Sequence, residues 1–123
     1  MDPQAKARGR DAENQAAKWL RSLGYEILAR NLRTRSGEID VIARDGATLV
    51  LVEVRYRNAH VFDAWRSLAG GKRERFARAA HEAQAALGVP LGTPARLDVV
   101  LVSAEGGFTH VRGALPPRPT YDR

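Results

Sequence analysis

The sequence predicts a single α/β domain in which a mixed β-sheet is flanked by helices on both faces. Two segments have the spacing of amphipathic helices, and strand-like segments lie between and after them. The turn signal Asp45-Gly46 separates two apolar runs, which is typical of a β-hairpin. The resulting order is α-β-β-β-α-β, with room for one more strand at the end.

Length and composition favour a globular protein. With 123 residues, 44% hydrophobic and 28% charged, the chain can bury a real core as one domain. The absence of cysteine excludes disulfides and thiolate chemistry. The N-terminus lacks the apolar stretch of a signal peptide, and no run approaches the roughly 20 apolar residues of a membrane span. We therefore expect a cytoplasmic protein with no membrane segment.

Both predicted helices bury one apolar stripe. The first covers residues 10–23 and ends at Gly24, and the second covers residues 71–87 and ends at Gly88. Residues 1–8 and the Pro-rich residues 115–123 are expected to be flexible tails around a domain at 9–114.

The predicted strands alternate with polar segments. We expect a polar, Arg-rich connection at 31–37 and a loop or broken helical turn at 58–69. The strands themselves are predicted at 25–29, 39–43, 49–54 and 96–102, with a short final strand at 108–112.

Four ionisable residues, Glu38, Asp40, Glu53 and Arg55, interrupt the two hairpin strands. A two-residue loop at Asp45-Gly46 places Glu38 opposite Glu53, whereas a loop centred one residue later places Asp40 opposite Glu53. Either register gathers all four side chains on one face of the sheet. Three carboxylates crowded there repel one another unless a divalent cation or a basic group lies among them.

Carboxylate oxygens of this kind suit Mg²⁺ or Mn²⁺, which would polarise a phosphoryl oxygen and activate a water. The net charge of +6 favours a polyanionic partner, so the substrate indicated is a nucleic-acid phosphodiester. Two simpler interpretations stay open. The charge is also explained by an Arg-rich genome composition, and Arg55, Arg57 and Arg96 are available to neutralise the acids as internal ion pairs.

Five short motifs in order resemble the YraN-like family of small bacterial proteins. That family is similar to the PD-(D/E)xK, or restriction-endonuclease-like, nucleases, and its closest functional relatives are the archaeal-type Holliday-junction resolvases. The motifs are Gly9-Arg-x-Ala-Glu13, Gly37-Glu-Ile-Asp40, Val52-Glu-Val-Arg55-Tyr-Arg57, Lys72-Arg73 and Arg96-Leu-Asp98-Val-Val. The resemblance covers residues 9–114 and implies a restriction-endonuclease-like core.

The resemblance also implies roles for individual residues. Asp40 and Glu53 correspond to the metal-binding acids, and Glu13 corresponds to the first-helix glutamate of the resolvase-like branch. Arg55 lies where the motif has lysine, which is a departure from the pattern. Arginine stays protonated and cannot act as the general base, although it can offset phosphorane charge.

With arginine at position 55, three alternatives stay open for the site. In the first, the metal ion alone generates the hydroxide. In the second, Lys72 replaces the motif lysine, and in the third, the site binds DNA without cutting it. The residues expected to contact DNA phosphates are Arg33, Arg35, Arg57, Lys72 and Arg73.

The expected function is therefore divalent-metal-dependent cleavage of DNA, particularly branched or structured DNA, by a protein that the resolvase resemblance suggests is a homodimer. The alternative is an inactive nuclease-fold protein that binds DNA as a recombination or repair accessory. A third reading is a structural protein whose acids and arginines only pair internally.

Overall fold

A computed structural model of the chain describes the backbone of residues 3–56, 72–90, 92–103 and 105–114, and the side chains of all of these except 3–9, 56, 72 and 73. In the described ranges two helices and five strands follow one another in the predicted order, with the additional final strand. They are α1 (Pro3–Ser22), β1 (Glu26–Thr34), β2 (Gly37–Asp45), β3 (Thr48–Tyr56), α2 (Lys72–Leu87), β4 (Ala95–Val102) and β5 (Phe108–Val111).

The five strands form one mixed sheet in the order β1-β2-β3-β4-β5. Strands β3 and β4 are parallel, and the other neighbouring pairs are antiparallel. The predicted mixed sheet is therefore confirmed. None of the described helices is both long and apolar enough to cross a membrane.

The hairpin of β2 and β3 adopts the second of the two predicted registers. Asp45 pairs with Thr48 and Val41 pairs with Val52, so the two-residue loop is Gly46-Ala47. Gly46 has a φ of +60°, the conformation that the first loop position of a II′ hairpin turn needs and that glycine adopts without strain. The register, once set, places every side chain of the hairpin on a defined face.

Two boundaries differ from the sequence prediction. Helix α1 begins at Pro3 rather than at residue 10, because proline is well tolerated in the first turn of a helix and the following residues are good helix formers. Strand β1 continues to Thr34 through part of the predicted connection at 31–37. Leu32 packs against the buried apolar residues on the α2 face of the sheet, while Arg33 is exposed. This edge strand therefore keeps one apolar face despite its arginines. The predicted loop at 58–69 lies outside the described residues.

The apolar residues of the two sheet faces form separate cores. Ala12, Ala16 and Leu20 of α1 pack on one face against valines of β2, β3 and β4. On the other face Ala80 and Ala83 of α2 pack against a group that includes Ile42, Leu49 and Leu51. The central strand β3 therefore contributes alternate residues to both cores and holds the helices in a fixed relation to the hairpin.

A buried carboxylate ties the far end of the sheet together. The side chain of Asp98 on β4 is fully buried. It accepts hydrogen bonds from Arg96 Nε (3.0 Å) and the Gly113 N–H (3.0 Å), and it lies 2.8 Å from His110 Nε2. Burial by itself would raise the pKa of Asp98, but the hydrogen bonds from His110, Arg96 and Gly113 outweigh it and lower the pKa. The network fixes β5 and the following turn to β4.

We expect Asp98→Asn to lower the free energy of unfolding by about 3 kcal/mol, because it leaves part of a buried charge network without its partner. Asp45→Asn is the matched control, since it removes the other carboxylate paired with Arg96 (3.0 Å) at a half-exposed position. Its cost should stay below about 1 kcal/mol. Urea unfolding of wild type and both variants measures the difference, and equal costs would contradict this role of Asp98.

The same comparison has a defined pH dependence. A carboxyl group whose pKa is lower in the folded state stabilises the fold above the ordinary aspartate pKa, and this stabilisation is lost as the pH falls through the lowered value. The difference in unfolding free energy between wild type and Asp98→Asn should therefore be constant near neutral pH and shrink in strong acid. A gap that widens on acidification would contradict the assignment.

Candidate metal centre

Four carboxylates gather where β2 and β3 stop pairing; Glu13, Glu38, Asp40 and Glu53 are called the acidic cluster below. The pairing register of the two strands ends at Val41 and Val52, and its continuation points Asp40 towards Glu53. Beyond that point Asp40 Oδ2 accepts the Val54 N–H (2.8 Å). A side-chain oxygen of β2 thus accepts this β3 N–H just beyond the last paired residues of the two strands.

Arg55 lies among the oxygen atoms of this region. Its Nη2 contacts Glu53 Oε1 at 2.5 Å, and its Nη1 donates to the Val54 carbonyl (3.1 Å) and lies 3.8 Å from Asp40 Oδ2. One guanidinium therefore contacts both strand carboxylates and the carbonyl between them. It neutralises part of the charge that two neighbouring carboxylates would otherwise place together.

Glu13 belongs to α1, whereas the other three members of the acidic cluster lie on β2 and β3. Its Oε1 lies 3.9 Å from Arg30 Nη2 on β1. In the amide orientation that pairs donors with acceptors, Asn31 Nδ2 donates to Glu13 Oε1 (2.7 Å) and to Glu38 Oε1 (3.1 Å). Asn31 has a φ of +53°, a left-handed conformation that asparagine tolerates better than most residues. Asn31 thus links the helix glutamate to the β2 acids.

Two members of the acidic cluster, Asp40 and Glu13, have raised pKa values, chiefly because of burial. Burial raises the pKa of Asp40, and although the Val54 N–H and Arg55 act in the opposite direction, Glu53 and Glu38 add to the increase. Burial also raises the pKa of Glu13, followed by the charge of Asp40, while Arg30 and Asn31 lower it. Glu13 and Asp40 therefore interact across the α1 side of the cluster.

A cleft of about 120 Å³ opens beside these carboxylates. Glu38, Asp40 and Glu53 line one side of it, and Arg75 and Phe76 of α2 line the other. The cleft gives a ligand access to Asp40 and Glu53 from the α2 side of the sheet.

The oxygen donors fit a magnesium or manganese ion that arrives with a phosphate. Among the described residues no group of three or more His, Cys, Asp or Glu side chains lies close enough to hold a metal together. Mg²⁺, however, is commonly held by one or two carboxylates, with waters and substrate phosphates completing its shell. Asp40 Oδ1 and Glu53 Oε2 accept no hydrogen bond from the described residues, so the two strand acids offer that minimal set. The guanidinium of Arg55 contacts the same carboxylates and would compete with the ion.

Arg55 contacts Asp40 and Glu53, and Glu13 lies near Asp40 and Glu38, so these predicted site residues are close together. Part of the expected internal ion pairing is present, since Arg55 pairs with Asp40 and Glu53 and Arg96 pairs with Asp98, whereas Glu38 lies near Arg33 and Arg57 is outside the described residues. The pairs of Arg55 involve the same two carboxylates that the resemblance assigns to a metal ion.

The residues expected to contact DNA are spread more widely. Arg33 is exposed and lies 4.0 Å from Glu38, and Arg35 is exposed in the turn between β1 and β2. Lys72 and Arg73 lie in the first turn of α2, and their side chains are not among those described. Arg57 lies outside the described residues.

Sequence reasoning missed Asn31, Arg30 and Arg75. Asn31 and Arg30 fell in or next to a stretch interpreted as a connection rather than a strand, so their side chains had no predicted direction. A lone asparagine within an Arg-rich stretch is a signal for a left-handed residue, but only the structure shows that its amide joins Glu13 to Glu38.

Comparison with known proteins places the chain among uncharacterised bacterial sequences. Residues 12–102 match the family described as "Uncharacterised protein family UPF0102", the family to which the YraN-like resemblance points. A UPF0102 protein of Chloroflexus aurantiacus is 39% identical over 111 residues, which cover 87% of this chain and 91% of the relative. A Dechloromonas aromatica protein is 46% identical over 103 residues, covering 80% and 81%. The Bordetella avium protein BAV3162 is 42% identical over 116 residues, covering 94% and 78%.

We expect Arg55→Gln to raise the affinity for Mn²⁺ roughly tenfold, because it removes the cation that competes for Asp40 and Glu53. Arg44→Gln is the matched control, since Arg44 is an exposed arginine of β2 away from the cluster. Titration of each protein with Mn²⁺, followed by the loss of the free-ion electron paramagnetic resonance signal, measures the affinity. Equal Mn²⁺ affinity in wild type and both variants would show that Arg55 and the metal do not share a site.

Proposed function

We propose that this chain, which belongs to the uncharacterised protein family UPF0102, is a divalent-metal-dependent endonuclease that cleaves DNA phosphodiester bonds. One observation carries the proposal: Asp40 and Glu53 lie where β2 and β3 stop pairing, beside an open cleft and next to a third carboxylate, Glu13. The names of the relatives state no activity, so the proposal rests on this site and on the resemblance to PD-(D/E)xK nucleases.

In this proposal Asp40 and Glu53 hold a Mg²⁺ or Mn²⁺ ion. The ion supplies Lewis-acid chemistry, since it polarises a phosphoryl oxygen and lowers the pKa of a bound water. The Val54 N–H fixes the orientation of the Asp40 carboxylate through its hydrogen bond to Oδ2. That bond leaves Oδ1 directed away from the N–H and available to the ion.

Arg55 occupies the position of the motif lysine but cannot act as the general base that lysine is thought to provide. Its guanidinium stays protonated, so it cannot accept the proton of the attacking water. Its guanidinium lies beside the cleft, where it would donate to nonbridging oxygens of a bound phosphate. The positive charge is then close to the group that gains negative charge during the reaction.

Glu13 is proposed to assist from α1, beside Asp40 and outside the lining of the cleft. Its pKa is raised by burial and by the charge of Asp40, so it is a stronger base than an ordinary surface glutamate. Arg30 and Asn31 hold its carboxylate from the β1 side and keep it in place beside the cluster.

The substrate class follows from charge and resemblance. A chain with a net charge of +6 attracts a polyanion, and the open cleft leaves Asp40 and Glu53 accessible from the α2 side. The preference for branched or structured DNA, and a homodimeric assembly, come from the likeness to Holliday-junction resolvases.

A second function is favoured by the position of Arg55. Because its guanidinium already offsets part of the charge of Asp40 and Glu53, both carboxylates stay in place here without a metal ion. This arrangement suits a protein that binds DNA as a recombination or repair accessory and no longer cleaves it.

Cleavage of labelled branched and linear DNA in Mg²⁺ or Mn²⁺ separates the two functions. We expect wild type to cleave and Asp40→Asn to lose at least about a hundredfold in rate, since loss of a metal-holding carboxylate removes several kcal/mol of transition-state stabilisation. Asp45→Asn, a half-exposed acid at the other end of β2, should cleave like wild type.

Arg55→Lys extends the assay. Under the endonuclease proposal it should cleave as fast as wild type or faster, because lysine can accept a proton when its pKa is lowered. If wild type and Arg55→Lys bind DNA but neither cleaves with any divalent metal, the accessory function replaces the endonuclease.

A further inference from the structure

A second and larger cleft lies on the α2 side of the sheet. Its volume is about 670 Å³, and it is lined by the β1–β2 turn and by one side of α2. We call it the α2 groove and define it by Arg35, Ser36, Arg75, Arg78, His81 and Glu82. Ser36 and Arg75 also line the cleft beside Asp40 and Glu53, so the α2 groove runs directly into the candidate metal centre.

Among the described residues, the positive charge of the α2 groove is largely uncompensated. Arg35, Arg75 and Arg78 are exposed, and none of them forms an ion pair with a residue of the described ranges. The one carboxylate in its lining, Glu82, accepts the Arg35 main-chain N–H (3.3 Å) and so holds the turn that carries Arg35 against α2. Three guanidinium groups therefore face a single carboxylate.

Helix geometry aligns the basic side chains. Arg75, Arg78 and His81 are three residues apart, so they lie along one side of α2 in successive turns. Arg35 faces them from the turn between β1 and β2. The row begins next to the carboxylate cleft at Arg75 and leads away from it.

We propose that the α2 groove binds the sugar–phosphate backbone of the DNA strand that presents its scissile phosphate to Asp40 and Glu53. This inference rests on the proposed function and adds the path of the strand. Guanidinium groups form bidentate hydrogen bonds with phosphate, and an unpaired row of them matches a strand with regularly repeated negative charge.

The lining also indicates how the strand is recognised. Apart from the His81 ring, the part of the groove that the structure describes has no aromatic side chain on which a base could stack. The arginines of the groove would therefore contact phosphates, which carry no sequence information. The groove also places positive charge beside the acidic cluster, where a polyanion would otherwise be repelled.

Binding of fluorescently labelled DNA in metal-free buffer tests this assignment, with anisotropy measured at several salt concentrations. The variant is the double substitution Arg75→Gln and Arg78→Gln, and the control is the double substitution Arg10→Gln and Arg21→Gln. The control removes the same charge from exposed positions of α1, the helix on the opposite face.

We expect the groove variant to bind about a hundredfold more weakly than wild type, roughly tenfold for each lost charged hydrogen bond. The slope of log affinity against log salt should fall by about two, one for each phosphate contact removed. The α1 control should retain the affinity and the slope of wild type. Because all four arginines are exposed, far-ultraviolet circular dichroism should show the same fold in each protein.

The outcomes separate this inference from the proposed function. If wild type binds and cleaves DNA while the groove variant binds like the α1 control, the α2 groove is not the strand path and the endonuclease stands. If binding depends on the groove but wild type cleaves nothing in Mg²⁺ or Mn²⁺, the groove assignment stands and the endonuclease fails. If wild type binds no DNA in metal-free buffer, the groove assignment is overturned.

Discussion

The structure depends on how two carboxylates on neighbouring strands are kept together. Asp40 and Glu53 would repel each other at the point where β2 and β3 separate, and Arg55 and the Val54 N–H offset that repulsion. The hairpin register set by the Gly46-Ala47 loop is what brings the two acids into reach. In the proposed function a divalent ion would bind the same carboxylate oxygens that Arg55 contacts here.

The contrast with Asp98 shows which carboxylate is structural. Asp98 is fully buried, and hydrogen bonds from three neighbours lower its pKa, so its charge is stabilised by the fold itself. Asp40 and Glu13 have pKa values raised by burial and by other acids, so their charges are not fully compensated. Uncompensated acids beside a cleft are typical of functional sites, whereas a fully paired buried acid usually stabilises the fold. The sheet thus has a stabilising carboxylate at β4 and the proposed reactive carboxylates at β2–β3.

Much of this arrangement could be predicted from the sequence. The period-2 pattern of the hairpin, the turn glycine and the interruption of apolar strands by Glu38, Asp40 and Glu53 were enough to predict an acidic face and two candidate registers. The sequence did not distinguish between the two registers, because moving the loop by one residue leaves the alternation of apolar and polar residues in each strand unchanged. The full length of β1 could not be predicted from the sequence either. An edge strand tolerates arginines on its exposed face, and the arginines of this strand are equally typical of a polar connection. Arg75 and Arg78 looked like ordinary polar positions of an amphipathic helix until the turn carrying Arg35 was placed opposite them.

We propose that a divalent ion and the Arg55 guanidinium compete for the same oxygens of Asp40 and Glu53. Crystals grown with Mn²⁺, with diffraction data recorded at the manganese absorption edge, distinguish the two occupants. An anomalous peak is expected within coordination distance of both carboxylates, with the guanidinium turned away from Glu53. A structure in which Arg55 still contacts Asp40 and Glu53, with no peak beside them at saturating Mn²⁺, would rule out this metal site.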